Sequence, residues 1–125
     1  MQEKCAIRSV RDLHVWKVAF DLTTAIYRAT AMMPDQERFG MVSQMRRAAV
    51  SVVSNIAEGN GRSHRGEYLH HLSIAFGSLC ELESQCFVSG ELGYLPPSTA
   101  KQLLQQLASE GRLLRALQRS LRKLT

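Results

Sequence analysis

The chain has 125 residues, and 16 lysines and arginines against 11 aspartates and glutamates leave it a formal net charge of +5. With 45% apolar and 22% charged residues it is neither disordered nor fibrous, it can bury one compact core, and no stretch approaches the ~20 uninterrupted apolar residues of a membrane span. The basic balance favours polyanionic partners such as nucleic acid.

Met1 to Val10 carries Glu3, Lys4 and Arg8 and no apolar segment of secretory length, so a cytoplasmic protein is expected. Cys5, Cys80 and Cys86 are odd in number, and the last two fall on different faces of one predicted helix. They read as reduced thiols packed as small hydrophobes.

Pro34, Pro96 and Pro97 leave two long proline-free stretches without period-two alternation, which predicts helices throughout. The first spans about 13–32, with Leu13, Trp16, Phe20 and Tyr27 on one apolar stripe and Val15, Ala19, Leu22, Ile26 and Ala29 on the next. Pro34 ends it, and Asp35 is the expected N-cap of a second helix over about 36–58, closed by Gly59, Asn60 and Gly61. Ser63 is the expected cap of a third helix over about 63–90, whose seam is Tyr68, Leu72, Ala75, Leu79, Leu82 and Cys86. Gly93 and the Pro96–Pro97 pair make the last turn, and Ser98 or Thr99 caps a fourth helix over about 98–123. Short connections and ~30 Å helices predict one all-α domain, an antiparallel up-down-up-down four-helix bundle.

The second helix gathers Gln44, Arg47, Ser51, Ser54, Asn55 and Glu58 on one narrow polar stripe, and the rest of its surface is small and apolar. That arc exceeds what a surface helix buries, which points to a second subunit. Arg46 projects among Val50, Val53 and Ala57; either an outside carboxylate or phosphate meets it, or it snorkels to water along its stem. Arg46, Ala49, Val50, Val53 and Ala57 are therefore the expected oligomer interface.

Several segments of this chain resemble the four-helix-bundle family of 23S rRNA intervening sequence proteins: Asp12-Leu-His-Val-Trp16-Lys-Val-Ala19, Phe39-Gly40, Gln44-Met-Arg-Arg-Ala-Ala-Val-Ser51 and Ser54-Asn-Ile-Ala-Glu-Gly59. So do Ile74-Ala-Phe-Gly-Ser78, Glu81-Leu82 and Leu92-Gly-Tyr-Leu95. Met33 stands where the family usually has Phe, and Met41 where Leu is common. The resemblance implies a ring-like homopentamer. A more distant similarity to the accessory protein of diversity-generating retroelements implies contact with reverse transcriptase and nucleic acid.

Glu67 and His70 have the Glu-x-x-His spacing of di-iron bundles, but the other histidines, His14, His64 and His71, lack a matching glutamate, so no metal or other cofactor is expected. No nucleophile-and-base pattern or phosphate loop marks an enzyme or a small-molecule substrate. Gly59-Asn-Gly-Arg-Ser63 could present free backbone N–H groups to a phosphate beside Arg62 and Arg65, or be a plain interhelical turn. The fourth helix sets Ala100, Leu103, Leu107, Leu114, Leu117, Leu121 and Leu124 in heptad a and d positions, with Arg112, Arg115, Arg119, Arg122 and Lys123 opposite and no acid after Glu110. That ridge is either a solvated face or a phosphate-binding surface without base readout. The expected function is a non-catalytic homo-oligomeric scaffold that binds RNA or DNA backbone, alone or with a protein partner. The alternative is a purely protein-binding scaffold whose arginines form subunit salt bridges.

Overall fold

A computed structural model describes residues 10–124, which form four α-helices and one 3-10 turn and contain no strand. Cys5 lies outside them. The helices are α1 (Val10–Thr30), α2 (Met41–Asn60), α3 (Arg65–Glu91) and α4 (Pro97–Arg122). Each packs on two neighbours, α1 and α3 both lying against α2 and α4, and the diagonal pairs do not meet. The result is a four-helix bundle around one core.

The helix starts differ from the sequence expectation for local reasons. Asp35–Glu37 is a 3-10 turn introduced by Pro34, and Gly40, with ψ −109°, leaves the helical region, so α2 begins at Met41. Its first N–H is received by Glu37 Oε1 at 3.0 Å, and Asp35 caps nothing by its side chain. Tyr94 Oη donates to the other Glu37 oxygen at 2.9 Å, tying the α1–α2 connection to the α3–α4 connection. The Met41 N–H, and then the Tyr94 hydroxyl, hold the Glu37 carboxyl below its ordinary pKa. His64, extended at φ −111°, precedes α3 where Ser63 was expected to cap. Pro96 precedes α4 and Pro97 is its first residue, the position where a missing N–H costs nothing, so Ser98 and Thr99 lie inside the helix.

Alpha-3 ends in a Schellman motif. The Tyr94 N–H reaches Ser89 O at 2.9 Å and the Gly93 N–H reaches Gly90 O at 3.1 Å, with Gly93 at φ +76°. Only glycine takes that backbone without strain.

The core is built from the second stripe of α1 and the seams of the other three helices. Val15, Ala19, Leu22 and Ile26 meet Met45, Ala48, Val52 and Ile56, with Leu72, Leu79, Leu82, Cys86, Leu107 and Leu114 closing the far side. The first stripe of α1 is only partly used: Trp16 is half-buried and stacks on Phe20 at 5.2 Å, while Phe20 and Tyr27 are exposed. Cys86 is fully buried and its thiol is pushed up to about 12 by desolvation, whereas Cys80 is exposed and is not a packed hydrophobe. Leu124 lies beyond the helix end and is exposed rather than part of the leucine seam.

Partners descend α2 as they ascend α3. Met45 Sδ receives Ser89 Oγ at 3.6 Å, Arg47 pairs with Glu81 at 3.0 Å, Ser51 with Ser78 at 2.8 Å, and Asn55 Oδ1 with His71 Nδ1 at 2.9 Å. The polar stripe of α2 is thus the outer seam between α2 and α3. At its end the helices approach so closely that a Cβ on Gly59 would stand 2.8 Å from His71 Cβ and 2.9 Å from Tyr68 Cδ1.

Arg46 finds its partners inside the chain. Its Nε donates to Thr30 Oγ1 at 2.9 Å, its Nη2 donates to Tyr27 O at 3.1 Å, and the guanidinium lies 4.5 Å from the centre of the Tyr27 ring. A cation there meets the negative end of α1 and two of its last polar groups. Contrary to the expectation from its helical projection, Arg46 needs no second subunit to meet its charge. Ala49 is fully buried against α1, where its carbonyl receives Thr23 Oγ1 at 3.2 Å; Val53 and Ala57 are half-buried, and Val50 is exposed.

Two glycine substitutions should diverge in sign. Gly59→Ala forces α2 and α3 apart and should cost about 1–3 kcal/mol, whereas Gly77, whose Cβ would meet nothing within 4 Å, should gain up to about 1 kcal/mol as alanine. Urea unfolding followed by circular dichroism measures both.

Candidate nucleic-acid interface

The amphipathic pattern of α4 turns its leucines inward and leaves Arg112, Arg115, Arg119, Arg122 and Lys123 exposed on the outer side. Arg119 and Arg122 sit in the last turn and Lys123 caps it, where cations complement the helix dipole. The five are not equivalent. The Arg115 guanidinium lies 3.5 Å from the centre of the Phe76 ring and donates to Gln118 Oε1 at 3.0 Å, so it fastens α4 to α3 as well as carrying charge. Arg112, Arg119 and Lys123 form no ion pair among the described residues.

The turn between α2 and α3 lies at the same end of the bundle as the last turn of α4, because Gln118 Nε2 reaches Ser73 Oγ at 3.5 Å and α4 continues from there toward the start of α3. Arg65, the first residue of α3, is half-buried and without an ion pair among the described residues. Arg62 is engaged, 2.8 Å from Glu58 and 3.9 Å from Glu67. The Gly61 N–H is taken up by Ala57 O and Glu58 O at 3.2 Å, and the Arg62 N–H by Gly59 O at 3.1 Å. Those two N–H groups are not free for a phosphate, which corrects that part of the expectation for Gly59–Ser63. Glu67 and His70 are both exposed, pointing away from the bundle interior that a di-iron pair would line. His71 is held by Asn55.

Position 110 of α4 departs from the leucine seam. It is a d position between Leu107 and Leu114, and it holds a glutamate, which is the signal that would have found it. Glu110 is 0% exposed, and neither of its carboxylate oxygens has a hydrogen-bond partner among the described residues. Desolvation raises its pKa to about 9, so it is a neutral acid at pH 7. One turn earlier, Gln106 Oε1 is also buried and without a donor. A cleft of about 460 Å³ opens beside this edge of α4, between it and α1, with Asp21, Ala25, Arg28, Leu103 and Gln106 among its lining residues.

The family model described as 23S rRNA-intervening sequence protein matches residues 11–116. A crystal structure from Bacteroides thetaiotaomicron VPI-5482, described as a protein with unknown function from the S23 ribosomal protein family, superposes with a TM-score of 0.82 at 18% identity, covering 88% of this chain and 99% of that one. At that identity the likeness shows the fold. No curated protein matches the sequence.

Glu110 makes stability depend on pH. Its pKa is raised in the fold from an ordinary 4.5 to about 9, so its contribution is complete below about pH 4.5 and is lost as pH rises through about 9. The native chain should lose stability steadily between about pH 5 and 9, at no more than about 1.4 kcal/mol per pH unit. Glu110→Leu should flatten that slope and be more stable at pH 8 by roughly 2 kcal/mol or more. Chemical denaturation at a series of pH values reads both.

Proposed function

The chain belongs to the 23S rRNA-intervening sequence protein family, and from that premise we propose that it is a non-catalytic homo-oligomeric scaffold whose basic surface binds the backbone of RNA or DNA. The observation that carries this reading is the line of Arg112, Arg119 and Lys123 along α4, exposed and unneutralised among the described residues. Arg115 and Arg122 extend it, and Arg65 joins it at the end of the bundle. Phosphate contacts of this kind position a polyanion without reading its bases. The family's own description, naming an rRNA intervening sequence, favours a nucleic-acid partner, bound alone or with a protein.

The scaffold is an antiparallel up-down-up-down bundle, in keeping with the descending partner order along α2 and α3, and five copies form a ring. Phe20, Tyr27 and Val50, all exposed on α1 and α2, supply the apolar surface for subunit contact, with Val53 and Ala57 beside them. Ala49 backs this surface from within the core. The protein acts in the cytoplasm; among the described residues no helix is long and apolar enough to cross a membrane.

Assembly is tested by light scattering, which should report a pentamer. Val50→Glu should dissociate it with helical circular dichroism unchanged, because the side chain lies on the bundle's outside. A monomeric native chain would refute the ring.

Nucleic-acid binding is tested by fluorescence anisotropy with a labelled single-stranded RNA and its DNA equivalent. Affinity should fall steeply between about 50 and 200 mM salt, with each phosphate contact adding roughly 0.7–0.9 to the log–log slope. Reversing Arg112, Arg119 and Lys123 to glutamate should weaken RNA and DNA alike and flatten the slope, with oligomer size unchanged. Arg115 is left intact because its loss would also loosen α4. No binding at about 50 mM salt would leave the protein-binding scaffold as the correct reading.

A further inference from the structure

Beyond the end of α1 lies a pocket of about 150 Å³, with Thr30, Pro34, Asp35 and two arginines, Arg38 and Arg46, in its lining. That is below the ~300–1,000 Å³ of sites that enclose a small organic molecule, and it suits a group the size of a phosphate. Arg46 is half-buried and fixed: its Nε is spent on Thr30 Oγ1, its Nη2 donates to Tyr27 O, and the Tyr27 ring centre lies 4.5 Å away. Its Nη1 has no partner among the described residues, so two N–H donors are held in place and unspent. Arg38 is exposed and forms no ion pair or hydrogen bond through its side chain among the described residues. Asp35 is the one acid among the described residues that line the pocket, and it pairs with neither arginine. Two guanidiniums and one carboxylate leave a single net positive charge. That matches the one negative charge of a phosphodiester better than the nearly two of a phosphate monoester.

Phe39 follows Arg38 and is 87% exposed, more than any other large apolar side chain among the described residues. The Arg38 guanidinium stands 5.5 Å from the centre of its ring. An apolar subunit packed on that ring would strip water from Arg38 and Asp35 beside it and give their charges nothing in return. A ligand that brings both a flat apolar face and a negative charge meets no such cost. We propose that this end of the bundle holds one nucleotide of a single strand, its phosphodiester on Arg38 and Arg46 and a base stacked on Phe39. The inference rests on the backbone-binding reading of α4 and adds what that ridge lacks. The ridge engages phosphates whether or not the bases are paired, whereas stacking on an isolated ring takes an unpaired base. The site therefore makes the protein prefer single strands without reading their sequence.

The test is fluorescence anisotropy of the full chain with a short labelled single-stranded RNA and with the duplex made by annealing its complement. Phe39→Ala should weaken single-strand binding by about fivefold or more and leave duplex binding within about twofold. The salt slope should not change, because no charge is lost. Phe39→Trp should keep the native affinity and Phe39→Leu should not, since leucine is apolar but offers no ring. Arg38→Gln, also on an exposed side chain, should weaken the single strand and lower the salt slope by roughly 0.7. Single-strand affinity untouched by Phe39→Ala, equal losses on single strand and duplex, or a smaller Phe39→Ala oligomer in light scattering, which would make the ring a subunit contact, would each overturn the proposal. A native chain that binds neither RNA defeats the backbone reading and this site with it; salt-sensitive binding that ignores Phe39 defeats this site alone.

Discussion

At Gly59 the second and third helices leave no room for a side chain, and much of the rest of the bundle follows from that contact. Tyr68 and His71 come down onto the α2 backbone there, which brings His71 within 2.9 Å of Asn55 and sets Ser51 opposite Ser78 and Arg47 opposite Glu81. A polar stripe that would otherwise be an exposed helix face becomes an interhelical seam with partners at every turn. With α2 fixed to α3 on that edge, its small apolar residues have one direction left to face, and α1 is drawn over Ala48, Ala49 and Val52. The Arg46 side chain then falls at the end of α1, where the last carbonyls of a helix need a donor.

Alpha-4 is held on a different principle. It lacks a close glycine crossing of that kind, since a Cβ on its own Gly111 would stand at an ordinary 3.6 Å from Leu79 Cδ2. Its attachment comes from leucines and from Arg115 set over the Phe76 ring. It also buries a whole carboxyl group that no donor meets. Thr30 and Ser89, buried on α1 and α3, donate to Ile26 O and Met45 Sδ, whereas Glu110 in α4 has nothing to bond and Gln118 reaches Ser73 only at 3.5 Å. Such groups subtract from stability, and proteins keep them where something other than stability is served. The cleft beside α1 lies along the same helix.

Periodicity made the four helices and most of the core legible, because Val15, Leu22, Ile26, Leu72, Leu79 and Leu114 follow 3.6-residue spacing without interruption. Helix starts were less legible. Glu37 caps α2 from four residues before Met41, across a glycine whose backbone leaves the helical region, and no local motif encodes that reach. The charge on Arg46 looked stranded in projection because its partners, Thr30 and Tyr27, belong to another helix, and a helical wheel contains only its own residues. Glu110 was legible and was passed over: a seam read by its leucines hides the position where a leucine is missing. The α1–α4 cleft had no signal in the sequence, since it arises from how two helices fail to fill the space between them.

The basic residues sort by helix, and the sorting bears on what the charge is for. Arg46, Arg47 and Arg62 are spent on partners within the chain: Tyr27 and Thr30, Glu81, and Glu58. Arg112, Arg119 and Lys123 have no such partner among the described residues and share one line on α4, while Arg28 and Arg65 are unpaired elsewhere. From Arg112 to Lys123 that line runs about 16 Å along the helix axis, longer than the ~8–10 Å over which physiological salt screens a charge. Its two ends therefore act almost independently, and a compact anion could satisfy only one of them. An extended chain of phosphates can engage them all at once, releasing a counterion at each, and a surface of this shape suits such a polymer better than any small acid.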